Sequence, residues 1–158
     1  RRALDRVDYP GMWDNTVAGG QPAGLSLHEN LVKECAEEAN IGPDYVAQAR
    51  PVGTIAYHRE LRHGLRDDLI FSYDLELPLD FWPSNRDGEV EDFQLWPIER
   101  VMEVVAGGDE FKFNCNLVLI DFFIRHGFLT KQDGDFDAIC EGLYGSSYKY
   151  RGGQEVSV

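Results

Sequence analysis

A chain of 158 residues carrying a formal net charge of -13, from 28 acidic against 15 basic residues, is the size of one ordinary domain with a real core. It lacks the basic surface that nucleic acid or an anionic membrane would require, so an anionic substrate would have to be admitted by metal. Cys35, Cys115 and Cys140 are odd in number and lack C-x-x-C spacing, which argues against a disulfide framework or zinc site and fits a reducing cytoplasm, while no apolar run approaches a membrane span.

In chain order, residues 6–10 read as a polar turn and residues 13–18, Trp-Asp-Asn-Thr-Val-Ala, as a strand entering the glycine loop Gly19-Gly20-Gln21-Pro22-Ala23-Gly24. The apolar spacing of Leu31, Val32, Cys35, Ala36 and Ala39 predicts a helix over 27–39, capped by Ser26 or His28 and stopped by Asn40-Ile41-Gly42-Pro43. Residues 44–48 add a helical turn. Strands are expected over 49–58 and 69–77, the second with the clearest alternation, joined as a hairpin through a turn near 64–68. A loop over 78–88 leads to a further strand over 90–96 and a short amphipathic helix over 97–105. Residues 115–126, with Leu117, Val118, Ile120, Phe122, Phe123 and Ile124, predict a packed core helix ended by Gly127. Residues 133–143 read as helical and residues 146–158 as a loose tail.

The chemistry concentrates on the first helix. Glu34, Glu37 and Glu38 stand at i, i+3 and i+4 and so project from one face beside the glycine loop. Like charges at that spacing repel, and Mg²⁺ or Mn²⁺, hard cations that favour carboxylate oxygen and are commonly shared with a substrate phosphate, would offset the repulsion.

This arrangement resembles the Nudix box, G-x5-E-x7-R-E-U-x-E-E-x-G-U with U apolar, in the register that begins at Gly19. Glu34, Cys35, Glu37, Glu38 and Ile41 match; Leu25 stands at the first glutamate, Lys33 at the arginine and Asn40 at the last glycine. Asn also tolerates the left-handed conformation of a helix C-cap, so Asn40 is the mild departure, whereas Leu25 removes a carboxylate. The wording from Met12 to Ile41, with Asn114-Cys115-Asn116 and Ile124-Arg125-His126-Gly127, is similar to the Nudix branch related to thiamine pyrophosphokinase, which also lacks the first box glutamate.

The resemblance implies an α/β fold, an α/β/α sandwich around a mixed sheet, with the 27–39 helix on one side and the 115–126 helix on the other. The Nudix domain would occupy residues 1–145, lack its first strand and belong to a longer protein. It implies metal ligation by Glu34, Glu37 and Glu38 with the Gly19 carbonyl, catalytic roles for Glu34 and Glu91, and Mg²⁺ or Mn²⁺ as cofactor. The implied activity is hydrolysis of thiamine diphosphate or its damaged analogues to a monophosphate and phosphate.

Other residues keep two readings each. Glu89 and Glu91 either complete the metal site or end a polar hairpin, and Glu91 is the choice for a base. His58, Arg59, Arg62 and His63 either contact a phosphate or form a solvated turn. Tyr57, Trp82 and Trp96 either stack on a heteroaromatic ring or pack in the core. Lys33, Tyr57, Arg59 and Trp82 are the substrate-side candidates, Lys33 by orienting the glycine loop or pairing with a box carboxylate. A Nudix hydrolase of nucleoside diphosphate derivatives and a non-catalytic metabolite sensor are the alternative functions, the second kept open by Leu25.

Overall fold

The computed structural model describes residues 1–61 and 64–145, without the side chain of residue 61. They fall into two compact units: Arg1–Arg50 with Asp74–Asn116, and Pro51–Tyr73 with the chain from Leu117 onward. Arg62, His63 and the expected loose tail over 146–158 lie outside the described residues.

In the first unit, α1 (Leu27–Ala39) begins where expected because Ser26 and Glu29 form a reciprocal cap. The Glu29 N–H donates to Ser26 Oγ at 3.2 Å and the Ser26 N–H to Glu29 Oε2 at 2.8 Å, satisfying two donors that the helix start would otherwise orphan. At the other end Asn40 takes φ 54°, the left-handed geometry that favours Gly or Asn, and the Ile41 N–H closes onto the Cys35 carbonyl at 2.9 Å. The apolar arc of α1 packs as its spacing predicts. Cys35, Ala39, Ile41 and Val46 form a buried cluster, with Leu31, Val17, Tyr45 and Phe81 against it. Val46 belongs to α2 (Pro43–Val46), opened by a proline at its first turn, where its missing N–H costs nothing. The loop after residue 78 returns to the end of α1: the Ser84 and Arg86 N–H groups donate to the Ala39 and Glu37 carbonyls at 3.1 and 3.0 Å. Further on, α3 (Ile98–Gly107) ends at Gly108, φ 96°.

The expected strands over 13–18 and 90–96 do not form. These segments pair only at isolated bridges, Trp13 with Phe111 in parallel and Arg2 with Val90 antiparallel. In the first segment the Asn15 N–H donates to Asp14 Oδ1 rather than to a neighbouring strand, and in the second Gln94 links to Asp92 and Trp96 through side chains alone. Alternation therefore did not report which backbones pair.

In the second unit, β1 (Arg50–Leu61) and β2 (Gly64–Asp74) form a two-stranded hairpin, antiparallel because so short a connection allows nothing else. β2 stops at Asp74, short of the expected 77. Ile55 and Ser72 are buried, whereas Leu65, Leu69 and Phe71 are turned outward. α4 (Phe113–Arg125) starts two residues earlier than the spacing suggests and ends in a Schellman turn at Gly127, φ 74°, with the Phe128 N–H on the Phe123 carbonyl at 2.8 Å and the Gly127 N–H on that of Ile124 at 3.2 Å. Phe123 is buried, but Leu117, Val118, Ile120, Phe122 and Ile124 are only half-buried. The helix also carries Asp121, 6% exposed, which accepts from Arg125 Nε at 2.7 Å and from the hydroxyl of Tyr144 at 2.6 Å. That carboxylate ties α4 to α5 (Phe136–Tyr144), whose inner face is Phe136, Cys140 and Leu143. Across the described residues the fold is thus helices with a small antiparallel sheet, an α/β composition.

Candidate active site

The glycine loop is shaped by side chains around it. Gln21 Nε2 donates to the Leu25 carbonyl at 2.6 Å and Asn30 Nδ2 to the Gly20 carbonyl at 3.2 Å, so the loop is pinned to the helix it precedes. A Cβ at Gly19 would meet the Glu34 carboxyl carbon at 2.1 Å, so Glu34 keeps its seat only against a glycine. Glycine is needed at this position for close approach rather than for backbone conformation.

The three box carboxylates take three different environments. The Glu34 side chain is 14% exposed and one oxygen meets Lys33 Nζ at 3.1 Å. Glu37 stands outward, with Lys33 Nζ 2.7 Å from its Oε2. Glu38 turns inward and accepts the Ala18 N–H at 2.8 Å. Lys33 is thus the counter-charge for two of the three, the pairing with a box carboxylate that was one of its two expected roles; Glu37 and then Glu34 hold its ammonium above the usual range. Glu38 is pushed up to about 7, chiefly by desolvation, then by the charges of Asp14, Glu34 and Asp87, against which the Ala18 N–H acts. Among the described residues no three His, Cys, Asp or Glu side chains converge on one point. The donor chemistry nevertheless fits a hard divalent cation: the three carboxylates sit on one turn and a half of helix, Glu34 lies against the glycine loop, and Glu38 bears a charge that its surroundings disfavour.

Beside Glu38 a cleft opens in the first unit, with Trp13, Asp14, Asn15, Phe93 and Gln94 among its walls. Its base is a polar cluster around Asp14, which meets Arg2 NH1 at 2.8 Å and Lys112 Nζ at 3.2 Å and accepts from Cys115 Sγ at 2.7 Å. Burial and then the Asp14 charge raise the Cys115 thiol far above its ordinary range, so it is a donor here and not a thiolate. Cys35 is likewise pushed up to about 11 by burial.

The remaining sequence candidates are dispersed. Glu91 is exposed and is not in the cleft wall; its neighbour Glu89 is, paired to Arg6 NH1 at 2.8 Å. Trp82 is 65% exposed in its loop, whereas Trp96 packs edge-on against Trp13 and Phe111, at 4.8 and 6.0 Å between ring centroids. Tyr57 and Arg59 belong to the hairpin of the second unit, where the Tyr57 hydroxyl donates to Asp68 and His58 Nδ1 lies 3.0 Å from Asp67. Asp14 and Asn15 were visible in the sequence only as part of the wording that carries the resemblance, without a role, and Gln94 only as a position in an expected strand.

No family-level sequence profile matches the chain. Individual proteins do. It is 46% identical over 136 residues to Nudix hydrolase 20, chloroplastic, of Arabidopsis thaliana, covering 86% of this chain and 36% of that protein. To Nudix hydrolase 24, chloroplastic, of the same plant, it is 48% identical over 132 residues, covering 84% of this chain and 36% of the other. It is 32% identical over 145 residues to an uncharacterized protein of Saccharomyces cerevisiae, covering 84% of this chain and 42% of that one. The chain therefore spans well under half the length of the curated relatives it matches, and its likeness to two proteins named Nudix hydrolases supports the Nudix superfamily as its family.

Proposed function

We propose that this chain carries the active site of a Nudix pyrophosphohydrolase that cleaves a diphosphate attached to a small organic group, with thiamine diphosphate or its damaged analogues as substrate. The observation that carries the reading is the seat of the Glu34 carboxyl against Gly19, which puts the central box glutamate at the glycine loop while Glu37 and Glu38 flank it. Mg²⁺ or Mn²⁺ would be held by Glu34, Glu37, Glu38 and the Gly19 carbonyl. When bound, the ion neutralises charge on the phosphate oxygens and lowers the pKa of water.

The rest falls to the side chains. Lys33 and the Gly19 seat fix the Glu34 carboxylate, which accepts the proton of the attacking water; Glu91 is the other candidate for this role. The water oxygen bonds to the terminal phosphorus, the bridging P–O bond breaks, and inorganic phosphate and the organic monophosphate leave. Burial of Glu38 keeps one carboxylate poorly solvated, so it favours a cation more than an exposed glutamate would. The full activity belongs to a protein of which this chain matches a part. The sandwich and mixed sheet are part of the same proposal. The free, buried cysteines support a reducing compartment, cytoplasm or, as the plant relatives' names have it, plastid.

Substrate profiling tests the reading: phosphate release from thiamine diphosphate, its oxidised analogues, ADP-ribose and nucleoside triphosphates, with Mg²⁺, Mn²⁺ or EDTA. Metal-dependent release that is fastest for the oxidised analogues is expected. ADP-ribose faster by about tenfold, a gap of about 1.4 kcal/mol in barrier, would overturn the thiamine assignment, and binding without turnover would overturn the enzyme.

A further inference from the structure

The cleft beside Glu38 has a rigid aromatic wall. Trp13 is fixed by its backbone, its N–H on the Glu110 carbonyl and its own carbonyl taking the Lys112 N–H, each at 2.9 Å. Its ring is buttressed by Trp96, which Arg100 covers at 4.6 Å. An aromatic held in this way can receive a flat ligand with little loss of side-chain freedom.

The polar groups are arranged with a bias. The cations in the wall are already engaged: Arg2 with Asp14 and the Asp8 carbonyl, Arg1 Nε with the Gly11 carbonyl, and the Arg1 ammonium with the Asp92 carbonyl. Glu38 takes one backbone N–H and Asp92 one amide N–H from Gln94 at 2.9 Å, so each carboxylate retains lone pairs. The Asn15 amide is half-buried and makes no side-chain hydrogen bond among the described residues. Gln94 is held in place by Trp96 Nε1 at 2.8 Å. The wall therefore offers more acceptors than uncommitted cations.

We propose that this cleft holds the organic end of the substrate, a planar heteroaromatic ring that bears N–H donors or positive charge, stacked on Trp13 and selected by Asn15 and Gln94. The proposal rests on the hydrolase reading for its substrate, since Glu38 belongs to both the box and the cleft wall. An anionic ring meets surplus carboxylate and is rejected.

Two measurements separate this proposal from the reading it deepens. The first needs no turnover: titration calorimetry of the chain in EDTA with thiamine, a cationic ring without phosphate, and with orotate, an anionic one. Thiamine should bind saturably, orotate should not, and Trp13→Ala should weaken the thiamine response by about tenfold or more while Trp13→Phe restores it. Equal binding of both rings, or an unchanged response in folded Trp13→Ala, overturns the cleft whatever the enzyme does. The second is kinetic. The ratio of kcat/KM for thiamine diphosphate to that for methyl diphosphate should fall by about tenfold or more in Trp13→Ala and in Asn15→Ala, and recover in Trp13→Phe. A ratio unmoved in the variants overturns the proposal and leaves the hydrolase standing; thiamine binding without hydrolysis of either diphosphate does the reverse.

Discussion

The Glu34 carboxyl fills the space in which any side chain at Gly19 would stand, at 2.1 Å from a Cβ placed there. Gly19→Ala must therefore move Glu34, and the carboxyl can swing away because it ends a flexible chain. Stability should change by less than ~1 kcal/mol in thermal melts, whereas turnover should fall by at least ~10-fold, since misplacing a catalytic group by about 1 Å is costly. A variant as active as the parent would detach Glu34 from the chemistry.

Glu34→Gln and Glu38→Gln should each lower kcat by at least ~100-fold at saturating Mg²⁺, because each removes a charge from a metal asked for several kcal/mol of transition-state stabilisation. Steady-state rates across a Mg²⁺ titration read this directly. Full activity in either variant would place the reaction elsewhere.

Lys33 meets both Glu34 and Glu37, so it both orients these carboxylates and occupies them. Lys33→Ala should cost less turnover than either glutamine variant yet bind Mn²⁺ more tightly, by calorimetry. Weaker Mn²⁺ binding would mean that orientation outweighs the removal of positive charge.

Glu38 supplies a pH dependence. Its folded-state pKa of about 7 lies above the ordinary 4.5, so the folded state holds the proton more tightly than the unfolded one. The associated stability is full below about pH 4.5 and is lost as pH rises through about 7. In EDTA the parent chain should lose about 1–3 kcal/mol more than Glu38→Gln between pH 5 and 8, measured by urea unfolding. Parallel pH profiles for the two proteins would contradict the buried carboxyl.

Asn40 sits at φ 54° as the helix cap. Asn40→Ala places a Cβ without polar compensation in the left-handed region and should cost about 1 kcal/mol in urea unfolding, with Asn40→Gly close to neutral. Equal losses in both would shift the weight to the Asn40 bond with Ser84 Oγ at 3.1 Å.

What the sequence disclosed was local. The bounds of α1 followed from Ser26 and Asn40, one at each end, and Gly127 closed α4 for the same reason, whereas the part of Glu29 in the cap was not foreseen. The hairpin was visible from its alternation, although Leu69 and Phe71 face outward, because alternation reports two faces without saying which is inner. The strands over 13–18 and 90–96 were misread because a strand requires a partner that lies elsewhere in the chain. The cleft was illegible for the same reason, since Trp13 and Gln94 approach only through folding. Asp121 hid inside an apolar run, its partner Tyr144 lying on another helix.

The bonds of Asp14 also govern the order of assembly. Asp14 and Cys115 are 101 positions apart, and closing a loop of that size costs roughly 4 kcal/mol of chain entropy before any contact repays it. The clasp of Asp121 with Tyr144 spans only 23 positions. Helices α4 and α5 can thus meet quickly, whereas the cleft awaits a far more distant closure. During synthesis the acidic turn of α1 emerges long before Lys112 and Cys115, so the wall of the cleft takes its final shape late.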